Sequence, residues 1–167
     1  MPRGRKAAVA ALAVAALLCA GHPAASAGTD SAATGTAYQR PDRYEIRSSL
    51  GNCLDGTRSP QVGTVVMTWR PCHQSPAQSW QVLRVKGGFQ RIVHDESDLC
   101  LGREEEGYVT LQTCADPAER PQRWVFTSAD EILAIPEGGC LEDKGSGNPV
   151  RVNDETECRT TWKRERF

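Results

Sequence analysis

Apolar and polar positions alternate in short runs along this chain, and no run sustains a helical period. Residues 44–47, Tyr-Glu-Ile-Arg, alternate as a half-buried strand does. Cys53-Leu54 begins a second short strand, 64–69 is a β-branched and apolar third, and 80–85 is a fourth. Asp55-Gly56 and Ser59-Pro60 supply turns between them, and Gly87-Gly88 closes the unit. The same order returns at 89–93, 99–101, 108–112 and 124–127, and again at 132–135, 140–141, 149–152 and 162–166. The pattern predicts an all-β domain of twelve short strands, four per unit. Many short strands with Gly/Pro turns mean a sandwich or a barrel, and a three-fold repeat favours the barrel.

Fixed residues mark the repeat. Gln78-Ser79-Trp80 returns as Gln122-Arg123-Trp124, and in worn form as Thr160-Thr161-Trp162. Each trails a Cys-Leu pair, at Cys53, Cys100 and Cys140, by 27, 24 and 22 residues. A second cysteine lies between: Cys72, Cys114 and Cys158. A period of about 40 residues signals a repeat architecture. Six cysteines allow about fifteen pairings. The repeat selects Cys53–Cys72, Cys100–Cys114 and Cys140–Cys158, one bridge inside each unit. Zinc is the competing use, but no Cys-x-x-Cys occurs.

The start of the chain changes the picture of where it works. A basic head, Pro2-Arg3-Gly4-Arg5-Lys6, precedes an apolar run at 7–20 and the small-x-small site Ala25-Ser26-Ala27. This reads as a signal peptide over 1–27, too short in its apolar run to span a membrane. Secretion follows, and with it an oxidising environment for the six remaining cysteines. Of 20 basic and 21 acidic side chains, cleavage removes Arg3, Arg5 and Lys6 and no acid, leaving a net charge of −4. A nucleic-acid partner asks for a basic face that this balance does not supply. Residues 28–42, rich in Gly, Ala, Thr and Ser, form a flexible arm that serves as a linker or as a partner-binding strand. The folded domain is expected over 43–167.

Gln-x-Trp recurring after Cys-Leu resembles the ricin B-type β-trefoil family, over residues 42–167. The resemblance implies that Gln78, Trp80, Gln122, Trp124 and Trp162 are mainly structural. It also implies up to one galactose-like sugar pocket per repeat. Such a pocket needs an acid directly after Cys-Leu, an aromatic two residues before the second cysteine, and an Asn or similar group before Gln-x-Trp. The acid accepts hydrogen bonds from two sugar hydroxyls, and its charge strengthens them. The aromatic stacks on the apolar face of the ring.

All three repeats depart from that pattern. Repeat one keeps its acid as Asp55 but has Arg70 at the aromatic position and Ala77 before Gln78. Trp69 stands one step earlier, where strand alternation points it at the core; a bulge at Pro71 is the alternative. His73 and Gln74 are nearby polar candidates. Repeat two has Gly102, Gln112 and Pro121 at the three positions, and its pocket is read as lost. Repeat three offers Glu142, or Asp143 beside it, with Asn153 at the stacking position and Asp154 next to it. Thr160 in place of glutamine suggests that this repeat is loosened.

No further chemistry stands out. Only His73 and His94 remain in the mature chain, and no Gly-x-Ser-x-Gly elbow occurs. The stretch 94–98, His-Asp-Glu-Ser-Asp, reads as a polar hairpin turn rather than a metal site, and 104–106 as a solvated acidic loop. Neither a catalytic site nor a cofactor is expected. The favoured function is a secreted, non-catalytic protein-binding adaptor of a bacterial assembly, such as a toxin. The alternative is a weak lectin for galactose-like glycans through repeat one or repeat three. The sequence leaves the oligomeric state open.

Overall fold

In a computed structural model of the chain, the described residues are 41–115, 120–154 and 157–167. The expected signal peptide lies outside them, as does the arm apart from Pro41 and Asp42. Asp42 is tied down, accepting hydrogen bonds from Tyr44 Oη at 3.4 Å and Arg166 at 2.5 Å.

Among the described residues, twelve strands form in the expected order. Repeat one holds β1 (Arg43–Ser48), β2 (Cys53–Asp55), β3 (Met67–Trp69) and β4 (Trp80–Arg84). Repeat two holds β5 (Gln90–His94), β6 (Cys100–Arg103), β7 (Val109–Gln112) and β8 (Trp124–Phe126). Repeat three holds β9 (Ile132–Ala134), β10 (Leu141–Glu142), β11 (Arg151–Val152) and β12 (Trp162–Arg166). The strand expected at 64–69 is shorter, because Val65 forms only an isolated bridge to Thr110. Single 3₁₀ turns at Pro76–Gln78 and Arg120–Gln122 lead into the first two tryptophans. Such one-turn pieces are too short to leave a periodic signal.

The first and last strands of the repeats make a wall, with β1 paired to β4 and β12, β4 to β5, β5 to β8, and β8 to β9. The middle strands make three hairpins, β2–β3, β6–β7 and β10–β11. These hairpins meet through one bridge per pair of repeats: Val65 with Thr110, Met67 with Pro149, and Tyr108 with Arg151. All strand pairs are antiparallel, and the three repeats close into a β-trefoil.

One indole anchors each repeat. Trp80, Trp124 and Trp162 are buried among Ile46, Leu54, Ile92, Leu101, Ile132 and Leu141. A buried indole N–H needs an acceptor. It finds the same one each time, the carbonyl of the leucine after the repeat's first cysteine: Leu54 at 2.9 Å, Leu101 at 2.9 Å and Leu141 at 2.8 Å. Each glutamine ties the loop behind the second cysteine. Gln78 Oε1 accepts the His73 amide at 3.2 Å, and Gln122 Oε1 accepts the Ala115 amide at 3.1 Å. Thr160 follows Cys158 with only Arg159 between them, so there is no comparable loop to tie, and its hydroxyl accepts the Asp143 amide at 3.2 Å.

The disulfides are those the repeat selects, Cys53–Cys72, Cys100–Cys114 and Cys140–Cys158, closing separations of 19, 14 and 18 residues. Loops of this size make each bridge worth about 3 kcal/mol through the unfolded chain. Glu45, Cys53 and Cys72 gather their ligand atoms within 4.8 Å, but both sulfurs are spent in the bridge.

Replacing Trp124 with Phe keeps most of the apolar volume and orphans the Leu101 carbonyl. It should cost about 2–4 kcal/mol in urea unfolding of the oxidised protein. Trp162→Phe should cost a similar amount if the third repeat is anchored as firmly as the second.

Candidate functional site

The site grows out of the register of the first hairpin. Cys53 faces Trp69, Leu54 faces Thr68, and Asp55 faces Met67. Facing residues share one side of the sheet, and neighbours alternate. Leu54 and Thr68 are fully buried, so that pair takes the inner side. Asp55, Met67 and Trp69 therefore take the outer side, and Trp69 is 48% exposed. This corrects the expectation that alternation sends Trp69 into the core. Pairing with β2 sets the parity, and the distance to Cys72 does not.

Trp69 and Asp55 line one cavity of about 440 Å³, with Thr57, Arg58, Met67 and His73 around it and Ser75 and Ala77 also on its wall. The Asp55 carboxylate is held but not saturated. Oδ1 accepts the Thr57 amide at 2.8 Å, and Oδ2 accepts Gln78 Nε2 at 3.1 Å. An ionised carboxylate offers about four lone-pair sites, so two remain for a ligand. Gln78 thus does more than support a turn: it also aims the acid. Its Oε1 lies 2.9 Å from His73 Nδ1, and an amide oxygen can only accept. His73 therefore carries its proton on Nδ1, and Nε2 is left for other partners. Ser75 Oγ is buried with no hydrogen-bond partner among the described residues. Thr57 sits at φ 68°, a left-handed conformation that a β-branched residue rarely takes. Backbone strain of this kind gathers at binding sites.

Beneath this wall lies His94, fully buried and edge-on to Trp80 at 5.1 Å between centroids. Its Nε2 lies 3.3 Å from the Ala77 carbonyl, which also accepts the Gly56 amide at 2.8 Å. A Cβ on Gly56 would come within 2.6 Å of the ring, so only glycine fits there. Burial pushes the His94 pKa below its ordinary value, against the raising pull of the Ala77 carbonyl and of Glu96, Asp55 and Asp95. The sequence showed His94 only as the start of a polar turn; nothing local marks it as a buried ring packed behind Gly56.

The other candidates fall elsewhere. Arg70 is exposed and off the cavity wall, and its amide donates to Ser146 Oγ at 2.9 Å. Gln74 donates its amide to Glu45 at 3.0 Å. In repeat two, the Gln112 side chain lies over Gly102, where even a Cβ would collide with it. In repeat three, Glu142 is buried and already accepts from Asn153 Nδ2 and Lys144 Nζ. Asp154 is exposed and paired with Arg103 at 2.7 Å. The structure brings together Asp55, Trp69 and His73, and it closes Glu142 and Asn153 on each other.

A family model described as the ricin-type beta-trefoil lectin domain matches residues 42–163. The chain belongs to this family of lectin domains. No curated protein matches it in sequence. Among solved structures it is similar to the designed three-fold symmetric protein ThreeFoil, with a TM-score of 0.64 and 17% identity over 73% of this chain and 96% of that one. It is also similar to the beta-trefoil lectin of the Vibrio vulnificus hemolysin/cytolysin, solved with N-acetyl-D-lactosamine bound, with a TM-score of 0.61 and 24% identity over 74% and 93%. The agglutinin of Abrus precatorius gives 0.58 and 17% over 75% and 48%. At these identities the structural likenesses speak for the fold. Among the described residues, no helix is long and apolar enough to cross a membrane.

A histidine with a depressed folded pKa leaves the unfolded chain binding more protons between the two values. Stability is then full above the ordinary value of 6.5 and falls as the pH drops towards the folded value. Urea unfolding of the wild type should lose stability as the pH falls below about 6.5. His94→Gln should be less stable at pH 7 and flatter across that window.

Proposed function

We propose that this lectin domain binds a galactose-like glycan through the repeat-one pocket. One observation carries the reading: Asp55 and Trp69 line the same open cavity, the acid with two acceptor sites unfilled and the indole half exposed. A carboxylate accepting from two neighbouring hydroxyls fixes a sugar's orientation, and the indole covers its apolar face. His73 offers a further polar group where Ala77 supplies none. Repeats two and three are taken as closed, one by Gln112 and the other by Lys144 and Asn153. The domain itself is read as non-catalytic and exported, with three disulfides suited to an oxidising compartment.

The adaptor reading drew its strength from the erosion of all three pockets. Repeat one brings its acid and an indole to one cavity, which supports glycan recognition as the first reading. A protein partner remains the alternative on the closed faces, and a stoichiometric partner recovered from culture supernatant would favour it.

N-acetyllactosamine, the ligand of the Vibrio vulnificus neighbour, is the first probe. Titration should show saturable binding. Asp55→Asn and Trp69→Ala should each weaken it at least about tenfold, the scale of a lost charged hydrogen bond. Glu142→Gln and Gln112→Ala should leave it unchanged. Absence of saturable binding across a glycan array at millimolar sugar would remove the proposal.

A further inference from the structure

The strand that presents Trp69 is held from outside its own repeat. Asp143 belongs to repeat three, next to the acid of its closed pocket, and is 6% exposed. Its carboxylate accepts from four donors. Oδ1 takes Thr68 Oγ1 at 2.7 Å and the Gly145 amide at 2.7 Å; Oδ2 takes Ser48 Oγ at 2.5 Å and Asn52 Nδ2 at 2.8 Å. Ser48, Asn52 and Thr68 belong to repeat one, on β1, the turn after it, and β3. All lone-pair sites of the carboxylate are filled, so it has nothing left for a sugar.

The chain after Asp143 continues the hold. Thr68 donates its amide to the Asn148 carbonyl at 3.1 Å and accepts the Gly147 amide at 2.7 Å. The Arg70 amide donates to Ser146 Oγ, and the Val150 amide donates to the Val66 carbonyl at 2.9 Å. The outer edge of β3 is thus paired along its length to repeat three. Gly147, at φ 81°, lies against the indole itself: a Cβ there would stand 3.3 Å from Trp69 Cζ3.

We propose that Asp143 is a positioning residue of the repeat-one glycan site, acting through Thr68 to fix β3 and with it the Trp69 indole. Repeat three has given up its own pocket and serves as the back wall of its neighbour's. The charge is matched to the task. Burial pushes the Asp143 carboxyl up, but the hydrogen bonds from Ser48, Thr68, Asn52 and Gly145 more than offset it, and the pKa lies below the ordinary value. The four hydrogen bonds therefore favour the ionised form of the anchor. The inference rests on the repeat-one pocket as the binding site. A stacking surface binds well only when its orientation is set in advance.

Two readouts separate the inference from that reading. Trp69 is the exposed one of the four tryptophans, so acrylamide quenching reports on it without any ligand. Asp143→Asn, which keeps the shape and removes the charge, should raise quenching and weaken N-acetyllactosamine binding by about tenfold. Thr68→Val should do the same. The double variant should be no worse than the weaker-binding single, because both act on one link. Additive losses, or normal quenching and affinity in a folded Asp143→Asn, would overturn the inference. Should Asp143→Asn fail to fold, Thr68→Val alone decides, since it leaves Asp143 its other three donors. Raised quenching in a protein whose wild type never binds the sugar would uphold the positioning and sink the glycan reading instead.

Discussion

Everything in this molecule hangs on an indole N–H meeting a leucine carbonyl three times over. The bond joins the last strand of each repeat to the first residue after its first cysteine. The disulfide joins that cysteine to the loop behind the third strand. Four short strands, too short to stand alone, are thereby closed into one unit. Burying the indole drives the closure, and the N–H fixes its geometry, because a buried polar group without a partner costs about 1–3 kcal/mol. With the leucine side chain buried in the core, the residue after it takes the outer side of the sheet. Asp55 is presented to solvent for that reason, before any sugar is considered.

The sequence carried the fold because the signals that make it are local and repeated. Alternation, Gly/Pro turns and the Cys-Leu to Gln-x-Trp interval each recur three times, so an error in one repeat is checked by the others. The pocket was only half legible. Asp55 follows Cys53-Leu54 directly, and its position could be read off. Trp69 could not be placed by counting back from Cys72, because the chain between them is not a strand and keeps no parity. What sets Trp69 outward is the pairing of Thr68 with Leu54, and what holds Thr68 inward is a carboxylate 75 residues away. His94 was hidden in the same manner, its place beneath Gly56 being fixed by β4–β5 pairing. Long-range partners leave no mark on a local pattern.

The three repeats share a scaffold and have parted in what they do with it. Repeat two has traded its acid for Gly102 and laid Gln112 over the gap. Repeat three keeps a carboxylate in Glu142, but buries it and satisfies it with Lys144 and Asn153. The neighbouring Asp143 is turned towards repeat one. Pseudo-symmetry makes such divergence tolerable. The indole anchors are independent of the outer face, so a pocket can close without loosening the core.

The small size of the proposed repeat-one site sets a limit on affinity. One carboxylate, one half-exposed indole and a few hydroxyls bury little surface, and association costs at least about 4 kcal/mol before any surplus appears. A monovalent site of this kind falls near the millimolar end of the scale, about 4 kcal/mol. A lectin so limited becomes effective when copies or companion modules bring it to a surface crowded with its sugar, where the second contact is made at high effective concentration.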